Sequence, residues 1–134
     1  MSRVRDAMVS DPITLDATAS AQEAGERLSD PGVRAVLVCH DGALVGVITR
    51  KTLVRKVVAT GLQPSSTELG DIAEPPIFTL DAVADLEHAF RQLEERDLER
   101  VPVTENGRLV GILSRSVVQR RLAEDEPPVE EDAA

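Results

Sequence analysis

Thr49 and Ser114 are the residues of this chain best placed to do chemistry. Each closes an apolar run that reads as a strand and opens a run that reads as a helix. A hydroxyl at such a junction accepts a backbone N–H from one turn on and caps the helix. The remaining N–H groups of that first turn lack partners and carry the positive end of the helix dipole. A phosphate is well placed there, and Arg50, Lys51 and Arg115 add positive charge beside it. The same basic residues also fit the solvated face of an amphipathic helix. Gly46 and Gly111 lie on the preceding strands, where a missing side chain admits a close neighbour, either a packed element or a ligand.

Other constellations offer less. Cys39 and His40 are neighbours on a strand and so point to opposite faces, which keeps them from holding one metal together. With His88 the only other histidine and no second cysteine, a structural zinc site is not expected. Cys39 reads as a small buried residue at a strand end, with no helix N-terminus or clustered base to activate it. No nucleophile elbow, phosphate-binding loop or dinucleotide fingerprint is present, so no catalytic residue is assigned and no enzyme activity is expected. Asp16 and Asp81 each follow a strand and precede a helix by a few residues, as turn or cap residues do.

The elements that position these residues occur twice. ITLDATASAQEAGERL, VRAVLV and DGALVGVITRKTLVRKV are echoed 65 positions later by FTLDAVADLEHAFRQL, LERVPV and NGRLVGILSRSVVQRRL, with no gap. Thr14/Thr79, Leu15/Leu80, Asp16/Asp81, Ala24/Ala89, Leu28/Leu93, Gly46/Gly111 and Arg50/Arg115 are identical pairs. A short helix is expected at Val4–Met8 and again at Glu68–Ala73. Pro-marked turns at Asp11-Pro12 and Pro75-Pro76 lead into strands at Ile13–Leu15 and Ile77–Leu80. Apolar residues at helical spacing (Ala21, Ala24, Leu28; Leu86, Ala89, Leu93) predict helices over Ser20–Ser29 and Ala84–Arg96. Strands at Ala35–Cys39 and Arg100–Thr104 turn at Asp41-Gly42 and Asn106-Gly107 into return strands Leu44–Ile48 and Leu109–Leu113. A last helix starts at Arg50 and at Arg115. The fold class is therefore α/β (α+β), two β-α-β-β-α repeats packed with pseudo-two-fold symmetry. Residues 1–60 form the first repeat, 61–67 the linker, 68–123 the second repeat and 124–134 an acidic tail.

A unit of about 60 residues buries too little apolar surface to stand comfortably alone, so the two copies are expected to share a core. With no Trp, no Tyr and two Phe, that core must be Val, Leu, Ile and Ala. The net charge of −9 is concentrated at the end, where six of the last eleven residues are acidic, leaving about −3 on the body. The tail composition is that of a disordered segment. Overall acidity and the lack of aromatic stacking surfaces argue against nucleic acid as a partner. No apolar run reaches the roughly 18 residues needed to span a bilayer. The N-terminal residues show no signal-peptide core, and the lone Cys39 suits a reducing compartment, so a cytoplasmic location is expected.

The repeat, with its DG-x-LVG segment and following Thr or Ser-Arg after a VRAVLV or ERVPV strand, resembles the CBS domain, a small-molecule-sensing unit. Two copies at this spacing are similar to the tandem arrangement called a Bateman module. With no catalytic domain attached, the chain looks like stand-alone bacterial two-CBS proteins, among them the hypoxic-response type, a match that ATGLQPSSTELGDI strengthens. The resemblance implies an adenosine-type ligand (AMP, ADP, ATP or S-adenosylmethionine) in a cleft between the copies and no particular resident cofactor. It implies a homodimer and an unknown protein partner. It makes Thr49, Arg50, Lys51, Thr52, Ile13, Thr14, Ser114, Arg115, Thr79, Val101 and Pro102 the candidate ligand-binding residues, and no residue a metal ligand.

The chain departs from the family's Gly-x-x-Thr/Ser-x-x-Asp pattern, whose Asp grips the ribose hydroxyls. Thr52 and Val117 stand in its place. Thr52 can still make a neutral hydrogen bond and Val117 cannot, so the Thr49/Thr52 side is the better ligand cleft. Val101-Pro102 matches the family's pair beside the base pocket, where the first copy has Val36-Leu37. The preferred expectation is a regulatory ligand-binding module. The alternative is a ligand-independent stress or scaffold protein acting by protein contacts, which the missing acids favour.

Overall fold

The structure, a computed structural model, describes residues 2–10, 12–76 and 78–125. Its elements run α1 (Val4–Ala7), β1 (Thr14–Asp16), α2 (Ala21–Leu28), β2 (Val36–His40), β3 (Ala43–Ile48) and α3 (Arg50–Leu53). A π-helical turn, Val54–Val58, continues α3, and a 3-10 turn, Pro64–Ser66, lies in the linker. Then follow α4 (Leu69–Ile72), β4 (Leu80–Asp81), α5 (Leu86–Glu95), β5 (Arg100–Glu105), β6 (Arg108–Ser114) and α6 (Arg115–Asp125). The second copy thus repeats the first, element for element.

Capping residues set the helix starts. Ser20 accepts the N–H of Glu23, and Asp85 accepts that of His88, so α5 begins two residues later than its periodicity suggests. Asp41-Gly42 and Asn106-Gly107 all have positive φ, the two-residue hairpin geometry expected of them. Both hairpins carry a register shift at the same place, between Val38 and Cys39 and between Val103 and Thr104. Strand β1 is shifted by one residue from Ile13–Leu15, although the Ile13 carbonyl still accepts the Leu37 N–H at 3.1 Å. Asp11 and Ile77, assigned to a turn and to the start of a strand, lie outside the described residues, as do residues 126–134 of the acidic segment. Glu124 and Asp125, the first two residues of that segment, belong to α6 rather than to a tail.

The six strands form one sheet in the order β1-β2-β3-β6-β5-β4. Its two halves meet through the single pair Ala43 and Arg108, joined by the Leu109 N–H to the Gly42 carbonyl at 3.1 Å. The Arg108 guanidinium adds a bond to the Asp41 carbonyl at 3.1 Å. The pseudo-two-fold axis passes through this seam.

The halves are held together more by their short first helices than by the seam. Val4 and Ala7 of α1 are buried in the second core, with Leu80, Leu86, Leu93, Val101, Val103, Leu113 and Val118. Leu69 and Ile72 of α4 are buried in the first core, with Ala24, Leu28, Val36, Val38, Ile48 and Val57. Each repeat therefore contributes its opening helix to the other. Backbone bonds fix the exchange. Val9 and Ile112 trade two, at 2.8 and 3.0 Å, and Val47 and Glu74 trade two of the same lengths. These crossings account for Gly46 and Gly111. A Cβ on Gly46 would lie 2.8 Å from the Ala73 Cβ and from the Glu74 carbonyl oxygen. One on Gly111 would lie 2.7 Å from the Val9 carbonyl oxygen. Of the two neighbours the sequence allowed these glycines, the packed element is the one present.

Candidate functional site

At the first helix junction, Thr49 caps α3 as expected and does so reciprocally. Its Oγ1 accepts the Thr52 N–H at 3.2 Å, and Thr52 Oγ1 accepts the Thr49 N–H at 3.1 Å. Thr52 is 2% exposed. Its hydroxyl also lies 3.0 Å from Thr49 Oγ1 and donates to Glu74 Oε1 at 3.1 Å. Thr52 has one hydroxyl proton, and it goes to Glu74 Oε1. The Thr49 hydroxyl is then the donor of the Thr49–Thr52 contact. The protons run in one direction, from Thr49 to Thr52 to Glu74. Glu74 is half-buried and reaches this place on the segment that leaves α4 and pairs with β3. Sequence reasoning missed it, because its repeat equivalent is Val9 and no pattern within one repeat marks the position.

The second junction is built differently. Ser114 is the last residue of β6, and its Oγ donates to Glu99 Oε1 at 3.2 Å. The same carboxylate oxygen accepts the Ser116 N–H at 3.3 Å, so Glu99 caps the first turn of α6 in place of Ser114. Partial desolvation raises the Glu99 pKa. Hydrogen bonds from Ser116 and Ser114 and the Arg115 charge outweigh that and hold it below the ordinary carboxylate value. A protein carboxylate thus stands where the sequence placed a ligand phosphate, and Val117 adds no polar group.

Arg50 is turned away from its junction, and Arg115 reaches the carboxylate that caps the second one. The Arg50 guanidinium donates to the carbonyls of Asp30 and Val33, both at 2.9 Å. Arg115 lies 3.4 Å from Asp97 and 3.6 Å from Glu99. Both side chains clasp the loop between the long helix and the second strand of their own repeat. An Arg fork finds there a set of carbonyls and carboxylates at fixed spacing. Lys51 is exposed.

The other candidates fall along the strands. Ile13 and Thr14 are exposed at the start of β1, and Thr79 is half-buried ahead of β4. Val101 and Pro102 are buried in β5, with Pro102 opposite Ile112. A cavity of about 500 Å³ lies near the hairpin end of the seam, lined by Pro12, Thr14, Leu15, Asp16, Cys39, Asp41, Gly42, Leu109 and Val110. Of the candidate residues only Thr14 reaches it. The Thr49–Thr52–Glu74 chain lies at the opposite end of β3. Asp16 accepts the backbone and side-chain hydrogen bonds of Thr18, which lower its pKa, and Asp81 accepts the Val83 N–H, so both serve as turn residues. Burial, and then the Asp16 charge, raise the pKa of the half-buried Cys39 thiol. Among the described residues no group of three or more His, Cys, Asp or Glu is placed to hold a metal, and no helix is long and apolar enough to cross a membrane.

Comparison with known proteins matches the CBS domain model to residues 4–59 and 69–124. The chain is 30% identical over 125 residues to hypoxic response protein 1 of Mycobacterium tuberculosis, covering 92% of this chain and 87% of the relative. The crystal structure of Hypoxic Response Protein I with two coordinated zinc ions superposes with a TM-score of 0.76 at 29% identity, over 90% of this chain and 99% of that one. The crystal structure of CBSX2 in complex with AMP superposes with a TM-score of 0.73 at 27% identity, over 92% and 98%.

Proposed function

Because this chain belongs to the CBS-domain family, as a tandem pair, we propose that it binds one adenosine-type small molecule in the cleft at Thr49 and Thr52 and reports its presence to a partner protein. The observation that carries this reading is the difference between the two junctions. The first presents Thr49, Thr52 and Glu74 as a connected polar group. The second has its helix N-terminus capped by Glu99. The AMP complex of the similar CBSX2 supports the ligand class. Signalling would work by population shift, with the ligand favouring one arrangement of the repeats, or of two chains, over another. A homodimer is part of this reading. The apolar sides of α2 and α5, an obvious choice for its contact, are buried in the cores. The exposed Val54, Val58 and Leu62 around the π-helical turn are the better surface.

Thermal unfolding with AMP, ADP, ATP, S-adenosylmethionine and NAD at about 1 mM tests the proposal. A ligand with a dissociation constant near 10 μM stabilises by about 2.7 kcal/mol, an easily read shift. A flat response to the whole panel refutes adenosine sensing. It would leave the second reading, a ligand-independent stress or scaffold protein, which Glu99 at α6 and the commitment of Arg50 and Arg115 to their loops favour.

A further inference from the structure

We infer that residues 126–134, the acidic segment that follows α6, lie across the outer face of α3 and its π-helical turn on a second copy of this chain. The inference rests on the homodimer of the reading above, names what joins its two chains, and needs no bound ligand.

The face has an unusual make-up. Val54, Val58 and Leu62 are exposed along it, four residues apart, and Lys51, Arg55 and Lys56 flank them. Among the described residues, none of these three cations is in an ion pair. An apolar stripe edged with uncompensated positive charge fits an acidic segment that carries an apolar residue of its own. The second repeat has no such face. Counting 65 residues on, Val54 becomes Gln119 and Val58 becomes Ala123. There α6 runs as regular helix where the first repeat has its π turn. A π turn interrupts regular helical bonding and recurs at functional positions. The fold, which both repeats share, therefore does not require the stripe.

The occupant is chosen by charge and by reach. Residues 126–134 read EPPVEEDAA, with four acids, no base, and Val129 among them. Extended, nine residues span up to about 30 Å, against about 10 Å from Lys51 to Val58 at the helical rise. The segment leaves from α6, which packs on α5, β6 and α1 in the second repeat. The second copy follows from the symmetry of a dimer. Two bare faces meeting across a two-fold axis would set Lys51, Arg55 and Lys56 against themselves. A segment from each chain on the other's face removes that repulsion. It also closes the pair, since each chain gives one segment and receives one.

The test is molecular mass by light scattering on the full chain, on a form ending at Asp125, and on two charge variants. One variant reverses the face (Lys51→Glu with Arg55→Glu), and the other reverses the segment (Glu130→Lys with Glu131→Lys). All the substituted positions are at the surface or beyond α6, and circular dichroism checks that each protein folds. The full chain should be a dimer. The shortened form and each variant alone should be monomers, with dimer dissociation constants raised about tenfold or more. An equimolar mixture of the two variants should dimerise, because each face then meets a segment of opposite charge on the other chain. A shortened form that stays a dimer overturns the inference and leaves the homodimer standing. So does a mixture of the folded variants that stays monomeric, the result expected if the segment lay on its own chain. A full chain that is itself a monomer overturns both the inference and the homodimer.

Discussion

Replacing Gly46 by alanine probes the crossing that brings Glu74 to Thr52. The backbone there needs no glycine for its own conformation, since Gly46 is not among the positive-φ residues. The constraint is the neighbour. A methyl at this position would sit 2.8 Å from both the Ala73 Cβ and the Glu74 carbonyl oxygen, and neither can swing aside as the tip of a long side chain could. The incoming segment must therefore move off β3, which strains its two backbone bonds to Val47. Overpacking costs about 1–3 kcal/mol, and weakening the strand pair adds about 1 kcal/mol. The sum of about 2–4 kcal/mol, at about 3–4 °C per kcal/mol for a chain of this size, lowers the melting temperature by about 6–16 °C. Gly25→Ala is the control. It lies inside α2, where the nearest atom to an added Cβ is Leu53 Cδ1 at 3.8 Å. That change should stabilise by about 0.5–1 kcal/mol through lost chain entropy. Urea denaturation followed by circular dichroism reads both. A Gly46→Ala protein within about 0.5 kcal/mol of wild type would refute the close crossing, and with it the placement of Glu74.

Thr49→Ala should cost about 0.5–2 kcal/mol of folding stability through loss of the cap. It should also weaken an adenosine-type ligand more than Ser114→Ala does; the reverse order in thermal-shift titrations would mean the wrong cleft has been chosen. Glu99 has a folded pKa below its unfolded value, so its contribution to stability is present above the ordinary carboxylate range and is lost as pH falls through that range and below it. Glu99→Gln should therefore flatten the acid side of a melting-temperature profile, and an unchanged profile would contradict its role as the α6 cap. Val58 is 71% exposed, so Val58→Glu should leave folding stability within about 0.5 kcal/mol of wild type. Light scattering should show it shifting a dimer to monomer, and a dimer that persists would place the contact elsewhere.

What the sequence revealed and what it hid follow from the range of the interactions. Helix caps, hairpin turns and core stripes are local, and Thr49, Asp41-Gly42 and the Ala21/Ala24/Leu28 face sit where their patterns place them. The 65-residue echo made the second copy legible from the first. The exchange of α1 and α4 was not legible, because Val4 and Leu69 are apolar in either packing and nothing in their spacing says which core takes them. The contacts of Arg50 and Arg115 were not legible for a related reason. A cation beside a helix N-terminus looks ready for a phosphate, but a long side chain can reach backward, and the loop carbonyls and carboxylates were within its reach.

The exchange also changes how the two clefts should be compared. Repeat equivalence sets Thr52 against Val117, a difference of one hydroxyl. Because each junction is approached by the segment arriving from the other repeat, the comparison must include Glu74 against Val9. The difference then becomes a hydrogen-bonded hydroxyl and carboxylate on one side and two valines on the other. The Thr52 hydroxyl, 2% exposed, accepts from Thr49 and needs an acceptor for its own proton, which Glu74 supplies. Thr52 and Glu74 thus satisfy one another on the first side alone. If the first junction holds the ligand, the ligand bears on the segment that leaves α4, pairs with Val47 and continues into the second repeat. Occupancy of one cleft would then bear directly on how the two repeats are joined, which is the differential contact that a population shift requires.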